Sequence, residues 1–473
     1  MRKAEVLNQY PDVDQQLVRS LLEEEVKRNQ DKIVVLDDDP TGVQTVHDIA
    51  VYTDWSEESI RRGFQEKQKM FFILTNSRSF TEEKTCRVHR EIAENLEKAC
   101  DGRPYLVISR SDSTLRGHYP LETEILREEL EKRHTWNFDG EILCPFFAEG
   151  GRYTIENIHY VKYGDCLIPA SETEFAKDKT FGYEAFSIPE YVEEKSRGRY
   201  PASEVICISL NELRSMNYEK IEECLMEAHN FQKIVVNAIE SSDVEIFVTA
   251  LYRVINRGKH FLFRTAASFV KAMGNISDRQ LLTKEEMLIG HSCHGGLIVA
   301  GSHTDKTTRQ LEELKKIQNI HFLEFNSDLV LEGDRLFEEA KRVTKEIEIL
   351  ISRGITTSVF TKRHLLIRED DTPEAALIRS VKISEAVLSL VKNLNVKPAF
   401  IVAKGGITSS DIGVKALGVR RAIVLGQIQP GIPVWRTDES SRFPDIPYVI
   451  FPGNVGNDDS LYKVIKVLTE CKE

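Results

Sequence analysis

The stretch AFIVAKGGITSSDIGVKALG, residues 399–418, decides how this chain is read. Phe400 to Ala403 is a short apolar run of strand type, and Gly405 and Gly406 free the backbone from side-chain clashes. Thr408, Ser409, Ser410 and Asp411 are residues that cap helices, so the order predicts a strand, a tight turn and a helix start. In an open α/β sheet such a turn aims backbone N–H groups and the positive end of a helix at the crevice beyond the strand, where phosphates bind. Two similar turns flank it: GLIVAGSHTDKTTRQLEELKK (296–316) feeds a strand into Gly301 and Ser302, and YVIFPGNVGNDDSL (448–461) feeds one into Gly453 and Gly456. Three glycine turns in one segment point to a nucleotide site there.

Upstream, strand-like runs recur with charged helical stretches between them: KIVVLDDDPTG (32–42), MFFILTNSR (70–78), PYLVISRSDS (104–113), EILCPFF (141–147), EVICISL (204–210), KIVVNA (233–238) and HFLFRTA (260–266). That alternation predicts an α/β fold of two domains, each a mainly parallel sheet flanked by helices, with the active site in the interdomain cleft. Residues 1–30 read as an N-terminal helical extension, with helical spacing at Leu17, Val18, Leu21, Leu22 and Val26; 31–290 as the first domain; and 291–473 as the second. The polar stretch from Ile158 to Tyr200 suits an ordered excursion over a site better than a core element. Ala266 to Gly296 reads as the interdomain connection, and AIVLGQIQPGIPVW (422–435) as a strand running into a Gly/Pro-rich loop.

A length of 473 residues exceeds one ordinary core. Lys plus Arg total 63 against 75 for Asp plus Glu, a net charge of −12 that disfavours nucleic acid as a partner. The eight cysteines form no CxxC, which argues against a disulfide framework or a cysteine zinc site. His291, Cys293 and His294 in HSCHGG have no fourth ligand and read as a polar linker, so no metal site is expected. No apolar run approaches the ~18 residues of a membrane span, and the N-terminus turns charged early, so a cytoplasmic protein without a membrane partner is expected. The absence of GxGxxG and GxSxG weakens dehydrogenase and serine-hydrolase readings.

Polar clusters end the strands of the first domain. Asp37, Asp38 and Asp39 stand where open sheets place ligand groups, and an aspartate there can accept a hydroxyl proton or hold Mg2+. RSDSTLRGH (110–118) sets Arg110 and Arg116 around Asp112, and two guanidiniums suit a carboxylate or phosphate ligand. Asn76, Ser77 and Arg78 end a third strand, and Arg152 follows a glycine pair. Such clusters should converge, with Asp112 or Asp39 as catalytic base and Arg78, Arg110 and Arg116 on a substrate carboxylate or the moving phosphoryl group.

DDDPTG, LTNSRS, SRSDSTLRGH, GRYTIENIHYV, FAKDKTFGY, GSHTDKTTRQLEEL, KGGITSSD, LGQIQPGIPVW and FPGNVGNDD, in that order, resemble the four-carbon acid sugar kinase family, long catalogued as a domain of unknown function. The resemblance runs from about Lys32 to the last helix. It implies a sugar-acid-binding first domain, a nucleotide-binding second domain and phosphorylation of the 4-hydroxyl of threonate, erythronate or 3-oxo-tetronate by ATP, with Mg2+ bridging phosphates. It implies that Ser302, Gly405, Gly406, Thr408 and Gly453 contact ATP, with Asn454 beside them, and that Asp38, Asn76, Ser77, Arg78, Arg110 and Arg116 face the sugar acid, with Arg152 added from its strand-end cluster. A small-molecule sugar acid is then the partner, and the sequence is compatible with a homodimer. The rival is a non-catalytic ligand-binding or regulatory protein on the same fold.

Overall fold

A computed structural model describes residues 2–290, 292–301, 304–364, 366, 371–453 and 455–470. The chain divides into two units, Met1–Thr45 with Asp54–Asp278, and Val46–Thr53 with Arg279–Glu473.

The first unit is built on parallel strands in the order Ile206–Ile208, Gln232–Val236, Gly140–Cys144, Phe261–Thr265, Tyr105–Arg110, Lys32–Asp37 and Met70–Leu74. Their unbroken apolar runs suit strands covered on both faces, and Ile33, Val34, Phe71 and Ile73 are fully buried. Register sets Asp37 beside both Leu74 and Arg110, and Arg110 beside Thr265. The polar loops that follow therefore leave the sheet at one level. The Gln15–Arg28 helix starts on an Asp14 cap, buries Val18 and Leu22, and pairs Glu25 with Arg253 of the Ser241–Ile255 helix at 3.0 Å.

The segment from Ile158 to Tyr200 does more than cross a site. Arg152–Ile155, Ile158–Tyr163 and Cys166–Pro169 form an antiparallel sheet with Arg2–Lys3. Its first hairpin turns on Glu156 and Asn157 at φ of 50° and 64°, both in the left-handed region that such short turns need. Val161, Ile188 and Tyr191 enter a core with Tyr119 and Leu143, which corrects the excursion reading. His159, Tyr160 and Val161 are buried in succession, so the segment lacks the two-residue alternation that would have marked a strand. The presumed connection also contributes to the first unit, because the Ala267–Met273 helix buries Phe269 and Val270.

The second unit orders its strands Ile49–Tyr52, Arg421–Gln429, Ile432–Thr437, Pro447–Phe451, Ile401–Lys404, Leu297–Ala300, Thr356–Thr361 and Ile320–Phe325. The last five are parallel, and the first three pairings are antiparallel. Residues 422–435 are thus a hairpin turning at Gly431, φ 77°, instead of a strand running into a loop. The helix start after Lys404 also differs from expectation. Gly405, at φ 118°, is itself the N-cap and the helix runs Gly406–Asp411, so Thr408, Ser409, Ser410 and Asp411 lie inside it and none caps it. A π-helical turn, Ile412–Ala416, follows. Among the described residues no cysteine is paired, and no helix is long and apolar enough to cross a membrane.

Candidate functional site

In the first unit one hydrogen-bonded network joins five of the expected residues, Asp38, Asp39, Arg78, Asp112 and Arg116. Arg78 donates to Asp112 Oδ1 at 2.8 Å and to Asp39 Oδ2, while Arg116 donates through Nε to Asp112 Oδ2 at 3.0 Å and through a terminal nitrogen to Oδ1 at 3.1 Å. Thr114 donates to Asp112 through its backbone N–H at 3.1 Å and through its hydroxyl. Arg110, buried, reaches Asp37 Oδ1 at 3.3 Å, and Asp38 Oδ2 accepts the Asp112 N–H at 3.2 Å. Arg152 joins through a ring, since its guanidinium and that of Arg116 lie 5.2 and 5.1 Å from the Phe175 ring centre. Asn76 turns the chain at φ 53°. Ser77 is engaged elsewhere, its hydroxyl donating to Glu122 Oε1 at 2.5 Å.

The carboxylates of this cluster are not equivalent. Burial pushes Asp37 up to about 7 against the pull of Arg110, and burial likewise raises Asp38. Burial acts on Asp112 in the same sense, but Arg78 and Arg116 override it and hold that carboxyl well below the usual range. Asp38 Oδ1 and the Nε atoms of Arg110, Arg152 and Arg264 are buried with no hydrogen-bond partner among the described residues. Orphaned polar atoms are costly, so a cluster of them at strand ends suits a polar ligand. Arg264, which the sequence reading passed over, donates to the Arg116 carbonyl at 2.8 Å. Its signal was faint, one arginine in the strand HFLFRTA.

In the second unit register aligns Ala300, Lys404 and Phe451 on adjacent parallel strands, so all three glycine turns start at one level. The turns touch: a Cβ on Gly301 would lie 2.6 Å from Thr408 Oγ1, and the Gly405 N–H donates to Phe451 O at 2.9 Å. A Cβ on Gly406 or Gly453 would meet nothing within 4 Å, so open space lies beside both. A cavity of about 610 Å³ is lined by Gly301, Thr408 and Asp411 and by Leu377, Ile383 and Val387 of the Pro373–Lys392 helix. Apolar walls beside a glycine turn are what a nucleoside and its phosphates require. Ser302, Asn454 and His291 lie outside the described residues.

Residues 33–273 match the family model of a sugar-binding N-terminal domain, and residues 297–461 that of a nucleotide-binding C-terminal domain. The chain belongs to this two-domain family. A Haemophilus influenzae DUF1537 protein superposes at a TM-score of 0.65 and 15% identity, over 92% of this chain and 100% of its own. A Salmonella typhimurium LT2 protein provisionally named a tRNA synthase superposes at 0.68 and 15%, over 91% and 98%. At such identity the likeness is one of fold alone. No curated protein matches the sequence. Family membership places the arginine–aspartate network in the sugar-binding domain and the three glycine turns in the nucleotide-binding domain, a sugar kinase-like pairing.

Proposed function

We propose that the chain is an ATP-dependent kinase that phosphorylates the 4-hydroxyl of a four-carbon sugar acid: threonate, erythronate or 3-oxo-tetronate. The observation that carries this is the gathering of Arg78, Arg110 and Arg116 around strand-end aspartates, with Arg152 on the Phe175 ring that Arg116 also meets, in a sugar-binding domain whose chain is otherwise acidic. Neutral sugars do not call for such a cluster, whereas a carboxylate does. In this reading the acid's carboxylate draws guanidinium groups from Asp112 or Asp39, and the oxygen so freed accepts the hydroxyl proton as the alkoxide attacks the γ-phosphorus and ADP leaves. Arg78, Arg116 and Thr114 take up both oxygens of Asp112, so if Asp112 is the base it would be unmasked as the acid's carboxylate draws these donors away.

Gly405, Gly406, Thr408 and Gly453, with Ser302 and Asn454, are proposed to cradle the ATP phosphates, and the apolar part of the neighbouring cavity its base. Mg2+ would come with ATP and neutralise charge on its phosphates. The test is ADP release with threonate, erythronate and their 3-oxo forms. One acid should support turnover with formation of its 4-phosphate. Nucleotide binding with no turnover on any of them would favour the non-catalytic rival instead.

A further inference from the structure

The residue linking two of the glycine turns is a lysine that the kinase reading leaves without a role. Lys404 ends the Ile401–Lys404 strand immediately before Gly405, and it is fully buried. Its ammonium donates to Pro452 O and Gly453 O, both at 2.9 Å, and lies 4.2 Å from the Phe451 ring centre. A lysine ammonium has three donors, so these carbonyls occupy two. Buried lysines without a carboxylate partner are costly, and structural needs alone are met more cheaply by an apolar residue. Burial pushes this one down to about 7, with Lys306 adding to the effect. An anion at the turns would oppose both influences.

We infer that Lys404 is the positioning residue of the nucleotide site: it ties the Pro452–Gly453 turn to the Gly405–Gly406 turn and sets a positive charge beneath the place where phosphates would lie. This rests on the reading of the three turns as a nucleotide cradle. The lysine acts on the phosphates through the turns and contributes nothing to the nucleoside. Its loss should therefore weaken phosphate-bearing ligands selectively, whereas a generally structural residue would weaken all ligands alike.

Calorimetry with ADP and with adenosine on the full chain separates these cases. Lys404→Met should lower ADP affinity by at least about tenfold and leave adenosine affinity unchanged. Lys404→Gln, which keeps a donor for the carbonyls and so protects the fold, should show the same selectivity. Unchanged ADP affinity in a folded variant, or equal losses for ADP and adenosine, would overturn the assignment. If the unaltered protein bound neither ADP nor ATP, the nucleotide reading would fall and this inference with it. Normal binding by the unaltered protein with unselective variants would sink the lysine alone.

Discussion

Gly406 and Gly453 lack side chains although nothing packed against them demands it, since a Cβ at either position would enter open space. Gly301 differs, because there a Cβ would strike Thr408. Gly406→Val should therefore fold with a near-normal melting temperature, lose ATP binding and keep sugar-acid binding. Calorimetry showing unchanged ATP affinity would move the nucleotide elsewhere. In the first unit Arg116→Lys keeps the charge but loses the planar fork that spans both oxygens of Asp112. Steady-state kinetics should show KM for the acid rising ~10-fold or more, with KM for ATP little changed. Equal effects on both substrates would count against a carboxylate site. The gathering of Asp39, Arg78, Asp112 and Arg116 was legible in the sequence because each lies just past a strand of one parallel sheet, whose register brings such ends to one level. Lys404 was not: a lysine ending a strand gives no local sign that its head will be buried on a neighbouring turn.

At the scale of the element, legibility followed range and symmetry of burial. Lys32–Asp37, Met70–Leu74 and Tyr105–Arg110 could be read because both faces are buried and the apolar run is unbroken. The antiparallel pieces are short and interrupted by polar residues, and their burial does not alternate: His159, Tyr160 and Val161 are all buried, so no strand period marks them. One of them reaches the loop after Tyr105–Arg110 that holds Asp112. His159, in Ile158–Tyr163, donates from Nε2 to Ser113 O at 2.7 Å and accepts the Thr154 hydroxyl at Nδ1 at 2.9 Å. Burial pushes its pKa down to about 4, with Arg152 adding to the effect. The folded state thus binds fewer protons than the unfolded chain, whose histidine titrates near ~6.5, and stability falls as pH drops from ~6.5 towards 4, by about 3 kcal/mol once both have titrated. Denaturant melts from pH 7 to 4 should show that loss in the unaltered protein and a flatter profile in His159→Gln, which keeps an N–H for Ser113. Parallel profiles would mean His159 does not carry the pH dependence.

At the scale of the molecule the chain order is not the order of the units. Val46–Thr53 lies early in the sequence yet belongs with Arg279–Glu473. Its strand Ile49–Tyr52 pairs antiparallel with Arg421–Gln429 from Tyr52↔Arg421 to Ile49↔Val424. The Thr53 N–H donates to Arg420 O at 3.1 Å, and Asp48 pairs with Arg279 at 3.0 Å. Four apolar residues with no turn signal of their own, pairing across most of the chain, leave no periodicity to read, which is why the sequence did not mark them. The consequence is testable by cutting. A fragment 279–473 keeps every glycine turn but lacks the strand that covers the Arg421–Gln429 edge, and an uncovered edge invites pairing between chains. It should self-associate and melt at lower temperature than the same fragment with residues 46–53 joined ahead of it by a flexible linker. Size-exclusion chromatography and thermal unfolding with and without ADP would measure both. If fragment 279–473 alone is monomeric and melts with the strand-restored form, the early segment is dispensable and the second unit is complete without it.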